Sequence, residues 1–192
     1  MFGIQDTAEI IEELGQRYPS LVREVVPRVV GINTLSEILR NLLSEGVPIK
    51  NMKSILENIE RYAHFEKNPH LLTEFVRVSL SGQICQNLSR DRHLMVYLLS
   101  KEISKIVFDS FADIGGEQVL SISPENARRI IEAVRNTGLK QGRPIVILTE
   151  FELRRFVKKI IEYEFPFASV ISFKEISPCV RIEPAGVIDL SA

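Results

Sequence analysis

Two stretches of helical periodicity, joined by a turn that contains glycine and proline, dominate the segment from Thr34 to Ala63. Apolar residues recur at intervals of three and four in both stretches, which places them along one face of an α-helix. Gly46 lies between the stretches and is predicted to end the first helix in the left-handed conformation. The segment therefore predicts a pair of amphipathic helices that share a core. The apolar positions are Leu35, Ile38, Leu39, Leu42 and Leu43 in the first helix and Met52, Ile55, Leu56, Ile59 and Tyr62 in the second.

The rest of the chain up to about residue 89 has the same helical character. Asp6 with Glu9, and Thr34 with Glu37, have the spacing of a capping box, in which two residues three apart pair at a helix N-terminus. Asn68-Pro69 predicts the start of a further helix, because proline is favoured in the first helical turn. The buried side of that helix is predicted to hold Leu72, Phe75, Val76, Ser79, Leu80 and Ile84.

Short apolar blocks alternate with helical segments after the polar run at residues 89–93, which indicates strands covered by helices. Ser100 is predicted to cap one of these helices, and Thr149 with Glu152 to form a third capping box. Gly115-Gly116 is predicted to lie in a flexible surface loop. Strands are predicted at 94–99, 119–122, 145–148, 168–172 and 180–182.

The change of pattern near residue 90 divides the chain into two parts. We predict an α+β fold, with a helical subdomain that contains a helix-turn-helix-like pair at residues 1–90 and a small α/β subdomain at residues 91–192. Within the second part, Arg143-Pro144 leads into the strongest strand signal, IVIL. With 45% hydrophobic residues, a chain of 192 residues can bury a substantial core.

The charge and cysteine content restrict the class of protein. Lys and Arg number 24 against 25 Asp and Glu, so no overall charge attracts the chain to phosphate backbones or anionic membranes. The two cysteines, Cys85 and Cys179, lie in apolar contexts, which fits a reducing compartment better than a disulfide framework. No run reaches the roughly 18 apolar residues of a membrane span. We therefore expect a soluble, cytoplasmic chain.

No pattern in the sequence predicts a catalytic, metal or cofactor site. His64, His70 and His93 are scattered, and none has the spacing of a metal ligand with another histidine or a cysteine. Gly115-Gly116 lacks the Lys-Ser/Thr of a phosphate-binding loop. Cys85 lies among helix-core residues and is interpreted as a small buried hydrophobe. An enzyme built on the α/β part is the weakest alternative, since the strand end at Thr149 offers a hydroxyl but neither acid nor base.

The stronger alternative is a DNA-binding protein, because two helices joined by a glycine-containing turn are also the layout of a helix-turn-helix. Glu57 and Glu60 on the same exposed surface, together with the near-neutral charge, oppose this interpretation, because phosphate contacts dominate affinity for DNA. The side chains that would line a recognition helix are Lys50, Asn51, Lys53, Ser54, Asn58 and Arg61.

An ordered series of motifs extends through nearly the whole chain: VREVVP, ILRNLLSEGVPIKNMKSILE, LTEFVRVSLSGQIC and GRPIVILTEFELRRFVKKIIEYEFPFASVISFKEI. In this order the motifs closely resemble the C-terminal cytoplasmic domain of the large export-gate protein of bacterial type III secretion, flagellar and virulence-associated. Departures from the family lie mainly between Arg90 and Val119. The resemblance implies a winged-helix-like helical subdomain followed by an α/β subdomain.

The resemblance also implies a function by assembly and docking rather than by catalysis. Members of this family form a cytoplasmic ring, generally a nonamer, beneath the membrane channel. The ring receives secretion substrates, their chaperones, gatekeeper proteins and the stalk of the export ATPase. We therefore expect this chain to be a fragment at the cytoplasmic face of the bacterial inner membrane, with the membrane helices of the full-length protein in a segment absent here. Neither nucleic acid nor a cofactor is expected as a partner.

A ring requires two different subunit faces that fit head to tail, and weak interfaces of this kind have charged rims. The charged residues on the outer face of the helical part are therefore candidates for the oligomer interface. They are Arg23, Glu24, Arg28, Arg40, Glu45, Lys50, Lys53, Glu57 and Arg61.

Overall fold

The computed structural model describes residues 2–138 and 145–190. The chain divides into two compact units, Met1–Ile84 (unit 1) and Cys85–Ala192 (unit 2). Helices come first and a small sheet with helices follows, which confirms the predicted α+β class. The boundary at residues 90 and 91 stays a prediction, and Arg143-Pro144 lies outside the described residues.

Unit 1 is helical and is organised around one helix. The fifth helix, α5 (Pro69–Ser79), packs on both α3 (Ile32–Ser44) and α4 (Met52–Tyr62), so the two helices predicted from the sequence share a core through a third. Helix α2 (Pro19–Val25) packs on α1 (Ile4–Arg17) and α4, which completes the unit. Helix α6 (Ser81–Leu88) follows α5 and crosses the division between the units.

The predicted apolar faces of α3 and α4 are buried, with two exceptions. Leu43 is exposed, because it lies at the edge of the apolar stripe of α3. Tyr62 is half-buried and stacks on Phe75 of α5, with 4.4 Å between the ring centroids. Ser79 on α5, predicted to be buried, is exposed. Because α5 lies between two helices, it buries more than one stripe of side chains, including Thr73, Glu74 and Arg77.

The three capping boxes predicted from the sequence are wrong, because each helix begins at a different residue. Gly3 precedes α1, and its N–H donates to Asp6 at 2.7 Å, so Asp6 lies inside the first turn. Gly31 precedes α3, which places Thr34 inside that helix. Glu150 precedes the later helix α9 (Phe151–Ile161), and the Thr149 hydroxyl donates to the Glu150 carboxylate at 2.9 Å instead of capping.

Other local predictions are confirmed. Asn68 caps α5 by accepting from the N–H groups of His70 and Leu71. Ser100 caps α7 (Lys101–Asp109) by accepting from Ile103 N–H at 3.3 Å. Gly46 has a φ of 71°, the left-handed conformation that glycine adopts without a steric penalty.

Unit 2 holds a parallel sheet of β1 (His93–Leu99), β4 (Val146–Thr149), β5 (Ser169–Ser172) and β6 (Arg181–Ile188). The strand order is β5-β4-β1-β6. Helix α9 packs on α7, α8 (Pro124–Gly138), β4 and β5, and Ile147, Val157, Ile161 and Val170 lie in the shared core. Strand β6 is longer than predicted and follows β1 over its whole length. A 3-10 turn (Phe173–Glu175) lies between β5 and β6.

The segment around Gly115-Gly116 is an antiparallel hairpin rather than a flexible loop. Strands β2 (Phe111–Ile114) and β3 (Glu117–Leu120) pair directly, with φ angles of 66° and 86° at the two glycines. Two consecutive residues with positive φ match the tight hairpin turn whose twist suits antiparallel strands. The strand predicted at 119–122 therefore begins two residues earlier and ends at Leu120.

Among the residues of unit 2 that the structure describes, two cations are buried, against the usual surface position of such residues. Arg154 is 1% exposed and Lys158 is 7% exposed, both on α9. Arg154 donates to the carbonyl of Val170, and Lys158 donates to the carbonyl of Ala168 at 2.9 Å. These bonds join α9 to the start of β5, so the two side chains serve the fold.

Candidate interaction surface

A groove between α2 and α4 brings together several of the charged residues predicted for the interface. Its volume is about 690 Å³, and we call it the acidic groove. Three carboxylates line it against one guanidinium and one imidazole. These carboxylates can accept a basic partner surface whose cations replace the ion-pair partners already present, Arg28 and Lys53. Its lining is Ser20, Leu21, Glu24, Val29, Glu57, Glu60, Arg61 and His64.

The charges around the acidic groove are paired along their own helices. Glu24 accepts from Arg28 at 2.9 Å, and Glu57 lies 3.6 Å from Lys53. The ammonium group of Lys53 also lies 5.4 Å from the ring centroid of Tyr18. All four ionic side chains are about half exposed or more, so these pairs contribute little to stability. Such charges can exchange their present partners for those of another molecule at small cost.

A second groove lies between α1 and the start of α4, and we call it the basic groove. Arg17 and Lys50 provide two cations against the single carboxylate of Glu13. Its volume is about 330 Å³, and apolar side chains form the rest of its surface. Unit 1 thus carries two grooves of opposite charge. The apolar lining is Ile10, Leu14, Ile49 and Met52.

The predicted interface residues are therefore distributed over several places. Glu24, Glu57 and Arg61 line the acidic groove, with Arg28 and Lys53 beside them as ion-pair partners, whereas Lys50 lines the basic groove. The remaining three lie elsewhere. Arg23 donates to the carbonyl of Pro19 at 3.3 Å, Arg40 is exposed on α3, and Glu45 follows α3.

Glu45 makes a contact inside unit 1. Its carboxylate lies 3.3 Å from the guanidinium of Arg77, whose side chain is 3% exposed, while that of Glu45 is 16% exposed. Removing one member of a buried ion pair is destabilising, because the remaining charge loses an interaction that water cannot readily replace. The structure therefore supports a role for Glu45 in folding.

The face of α4 considered for DNA recognition has internal partners instead. Asn51 caps α4 by accepting from Ser54 N–H, and Asn58 donates to the carbonyl of Ser54 at 2.8 Å. Lys53 pairs with Glu57, and Glu57 and Glu60 both face the acidic groove. Carboxylates on this surface repel phosphates, so the geometry disfavours the helix-turn-helix alternative.

Sequence reasoning missed Glu60 and His64 as groove residues. His64 follows the end of α4, and its Nε2 lies 3.4 Å from Oε1 of Glu60. Their spacing of four residues was visible in the sequence, but the groove is made by helix α2, more than thirty positions earlier. The other two histidines also lie beside glutamates, His70 near Glu37 at 3.6 Å and His93 near Glu183.

The cysteines occupy different environments. Cys85 is buried, and its thiol donates to the carbonyl of Glu175 at 3.1 Å. Desolvation raises the pKa of the Cys85 thiol, so it stays protonated and unreactive at neutral pH. Cys179 is exposed. Over residues 2–138 and 145–190, no group of three His, Cys, Asp or Glu side chains is placed to hold a metal ion.

No helix in the described part of the chain combines the length and the apolar character needed to cross a bilayer.

Comparison with known proteins gives a family match over most of the chain. The model of the FHIPEP family matches residues 1–181. The invasion protein InvA of Salmonella typhimurium is 32% identical over 179 residues, which cover 92% of this chain and 26% of InvA. The chain therefore spans about a quarter of the length of the curated relatives it matches.

Solved structures agree in fold over almost the whole chain. The CdsV protein of Chlamydia pneumoniae superposes with a TM-score of 0.93 and 37% identity, covering 98% of this chain and 55% of that one. CdsV has also been solved in a complex with the CdsO protein. The nonameric EscV cytosolic domain from the type III secretion system superposes with a TM-score of 0.87 and 30% identity, covering 100% of this chain and 58% of that one.

Proposed function

Because the chain belongs to the FHIPEP family, the export-gate proteins of type III secretion that its sequence resembles, we propose that it forms part of the cytoplasmic ring of such a gate. In this proposal the ring is a nonamer, as in the EscV relative. The full-length protein is anchored in the bacterial inner membrane by a segment outside this chain, and the chain acts at the cytoplasmic face. Its work is assembly and docking.

The observation that carries the proposal is the pair of oppositely charged grooves in unit 1. A closed ring needs heterologous contacts, in which one face of a subunit meets a different face of its neighbour. The acidic groove provides Glu24, Glu57 and Glu60, and the basic groove provides Arg17 and Lys50. Complementary charge of this kind steers subunits together and sets their register.

Docking of other proteins completes the proposed function. The resemblance implies secretion substrates, chaperones, gatekeepers and the ATPase stalk as partners. The CdsV relative has been solved with a second protein, CdsO, which supports a docking role for the cytoplasmic part of this chain as well.

Charge reversal tests the ring contact. Lys50→Glu in the basic groove and Glu57→Lys in the acidic groove should each weaken ring formation several-fold, because attraction across every subunit contact becomes repulsion. The combined variant should recover most of the loss if the two grooves face each other. The measurement is the fraction of nonamer in native mass spectrometry and electron micrographs of the purified protein.

A control reversal, Arg128→Glu, changes an exposed charge on α8 of unit 2 and should leave the ring intact. Arg40→Glu should leave the monomer folded and weaken the ring, and it tests the candidate on α3 that lies outside both grooves. If this variant assembles like the unaltered chain, Arg40 is not part of the interface. If Lys50→Glu and Glu57→Lys also assemble normally, the paired-groove contact is wrong.

A further inference from the structure

Unit 2 has a groove between α7 and α9, separate from the two charged grooves of unit 1. We call it the Phe108 groove. It has a volume of about 380 Å³, and Phe108 is 61% exposed beside it. Its lining is Ser104, Lys105 and Phe108 from α7, and Glu150, Glu152 and Leu153 from the start of α9.

Phe108 is held in place by other aromatic rings. Its ring centroid lies 5.5 Å from that of Phe111, which in turn lies 4.4 Å from that of Phe156. Phe156 is 5% exposed and belongs to the core of unit 2. The exposed ring is therefore the outer end of an aromatic series that begins in the core. A side chain fixed in this way loses little conformational entropy when a partner covers it.

The two walls of the Phe108 groove carry opposite charge. Lys105 lies on the α7 wall, and Glu150 and Glu152 lie on the α9 wall, all three exposed. A partner that fits must bring a large apolar side chain to the centre and a cation toward the α9 wall. Helix α7 itself meets this description, because Lys105 and Phe108 are three residues apart and share one helix face.

We propose that the Phe108 groove binds a second copy of this chain about a two-fold axis. In this arrangement Phe108 of each copy packs on Phe108 of the other above the buried side chain of Leu153, and Lys105 of each copy faces Glu150 and Glu152 of the other. A two-fold contact of this kind is self-complementary by symmetry. It goes beyond the proposed ring, whose head-to-tail contacts use unit 1, and gives the chain a separate mode of pairing.

The pairing is expected to be weak. Two phenylalanines bury on the order of 150–250 Å² each, and with their neighbours this stays below the roughly 1,200 Å² of a stable interface. The dimer should therefore appear only at high concentration, with a Kd on the order of 0.1–1 mM.

Sedimentation equilibrium up to about 1 mM of the chain tests the pairing, since this range spans the expected Kd. Measurements on the Lys50→Glu variant as well as the unaltered chain separate pairing from any ring. Phe108→Ser should raise the Kd at least about tenfold, because it removes the apolar centre of both halves. Tyr163→Ser is the matched control, since Tyr163 is 91% exposed in unit 2 and lies outside the groove.

A charge exchange gives a second, independent test. Lys105→Glu alone and Glu152→Lys alone should each pair about tenfold more weakly, because two symmetric contacts become repulsive. A mixture of the two variants should pair preferentially with one another, which sedimentation equilibrium of the equimolar mixture, compared with each variant alone, would measure. Thermal melting of each variant checks that the fold is retained.

The proposal is overturned if the chain stays monomeric at all these concentrations in the Lys50→Glu background. It is also overturned if Phe108→Ser and Tyr163→Ser pair equally, or if the two charge variants show no preference for each other. A chain that pairs as described but forms no ring would contradict the proposed function and leave this inference standing.

Discussion

Replacing Glu45 by alanine should destabilise unit 1 by about 3 kcal/mol, the usual cost of removing one partner of a buried ion pair. Glu45 lies 3.3 Å from the guanidinium of Arg77, whose side chain is 3% exposed. Water cannot readily replace the lost carboxylate around so deeply buried a cation. The effect should therefore be one of folding, although Glu45 is also a candidate for the ring interface.

The magnitude can be checked against an exposed pair in the same unit. Glu57 and Lys53 are each 49% exposed and 3.6 Å apart, so Glu57→Ala should cost less than about 0.5 kcal/mol. For a domain of 60–100 residues, about 1 kcal/mol corresponds to a shift in Tm of roughly 4–8 °C. Glu45→Ala should thus lower the Tm of unit 1 by more than about 12 °C, and Glu57→Ala by a few degrees at most.

Urea denaturation followed by circular dichroism at the helical band measures both variants. If the two compact units unfold separately, the shift should be confined to the helix-rich transition of unit 1. A Glu45→Ala cost within about 0.5 kcal/mol of the Glu57→Ala cost would refute the reasoning.

Three further expectations concern other features of the fold. Ser36→Ala should stabilise the chain by about 1 kcal/mol in urea denaturation, because the Ser36 hydroxyl is buried and has no hydrogen-bond partner in the described part of the chain; a loss of stability would mean that the hydroxyl is satisfied. Gly115→Ala should cost about 1 kcal/mol since φ is positive there, whereas Gly15→Ala, within helix α1 with free space around it, should gain about 0.5–1 kcal/mol; equal effects on Tm would contradict this assignment. Cys179 should react with a thiol reagent in the native protein, and Cys85 only after unfolding. Because the raised pKa keeps Cys85 protonated in the fold, its contribution to stability should fall as pH rises above the ordinary pKa of a thiol. A Cys85→Ala variant whose free energy of unfolding falls with pH as steeply as that of the unaltered chain would count against this.

Patterns that depend on neighbouring residues could be predicted from the sequence. The apolar faces of α3 and α4, the cap at Asn68 and strand β1 all follow from local periodicity or turn chemistry. The capping boxes could not, because Ser, Thr or Asp three residues before Glu also occurs inside helices. Helix α3 begins directly after Gly31, two residues before Thr34, so Thr34 is not at its N-terminus.

Features made by distant segments were hidden from sequence reasoning. Arg154 and Lys158 can be buried because the carbonyls of Val170 and Ala168 accept their hydrogen bonds. No local sequence pattern predicts those partners. The acidic groove arises in the same way. Charge and helical phase identified Glu57 as exposed, but its position beside Glu24 depends on the packing of α4 on α2.

The parallel pairing of β1 with β6 has a consequence for synthesis on the ribosome. β1 (His93–Leu99) leaves the exit tunnel long before β6 (Arg181–Ile188), and the intervening strand β4 covers only one of its edges. Until residues 181–188 emerge, the other edge of β1 offers unpaired amides and carbonyls to any neighbouring nascent chain. A chain released by a ribosome that stalls before residue 181 should therefore aggregate through the unpaired edge of β1. We expect chaperones to bind the nascent chain until β6 has paired with β1.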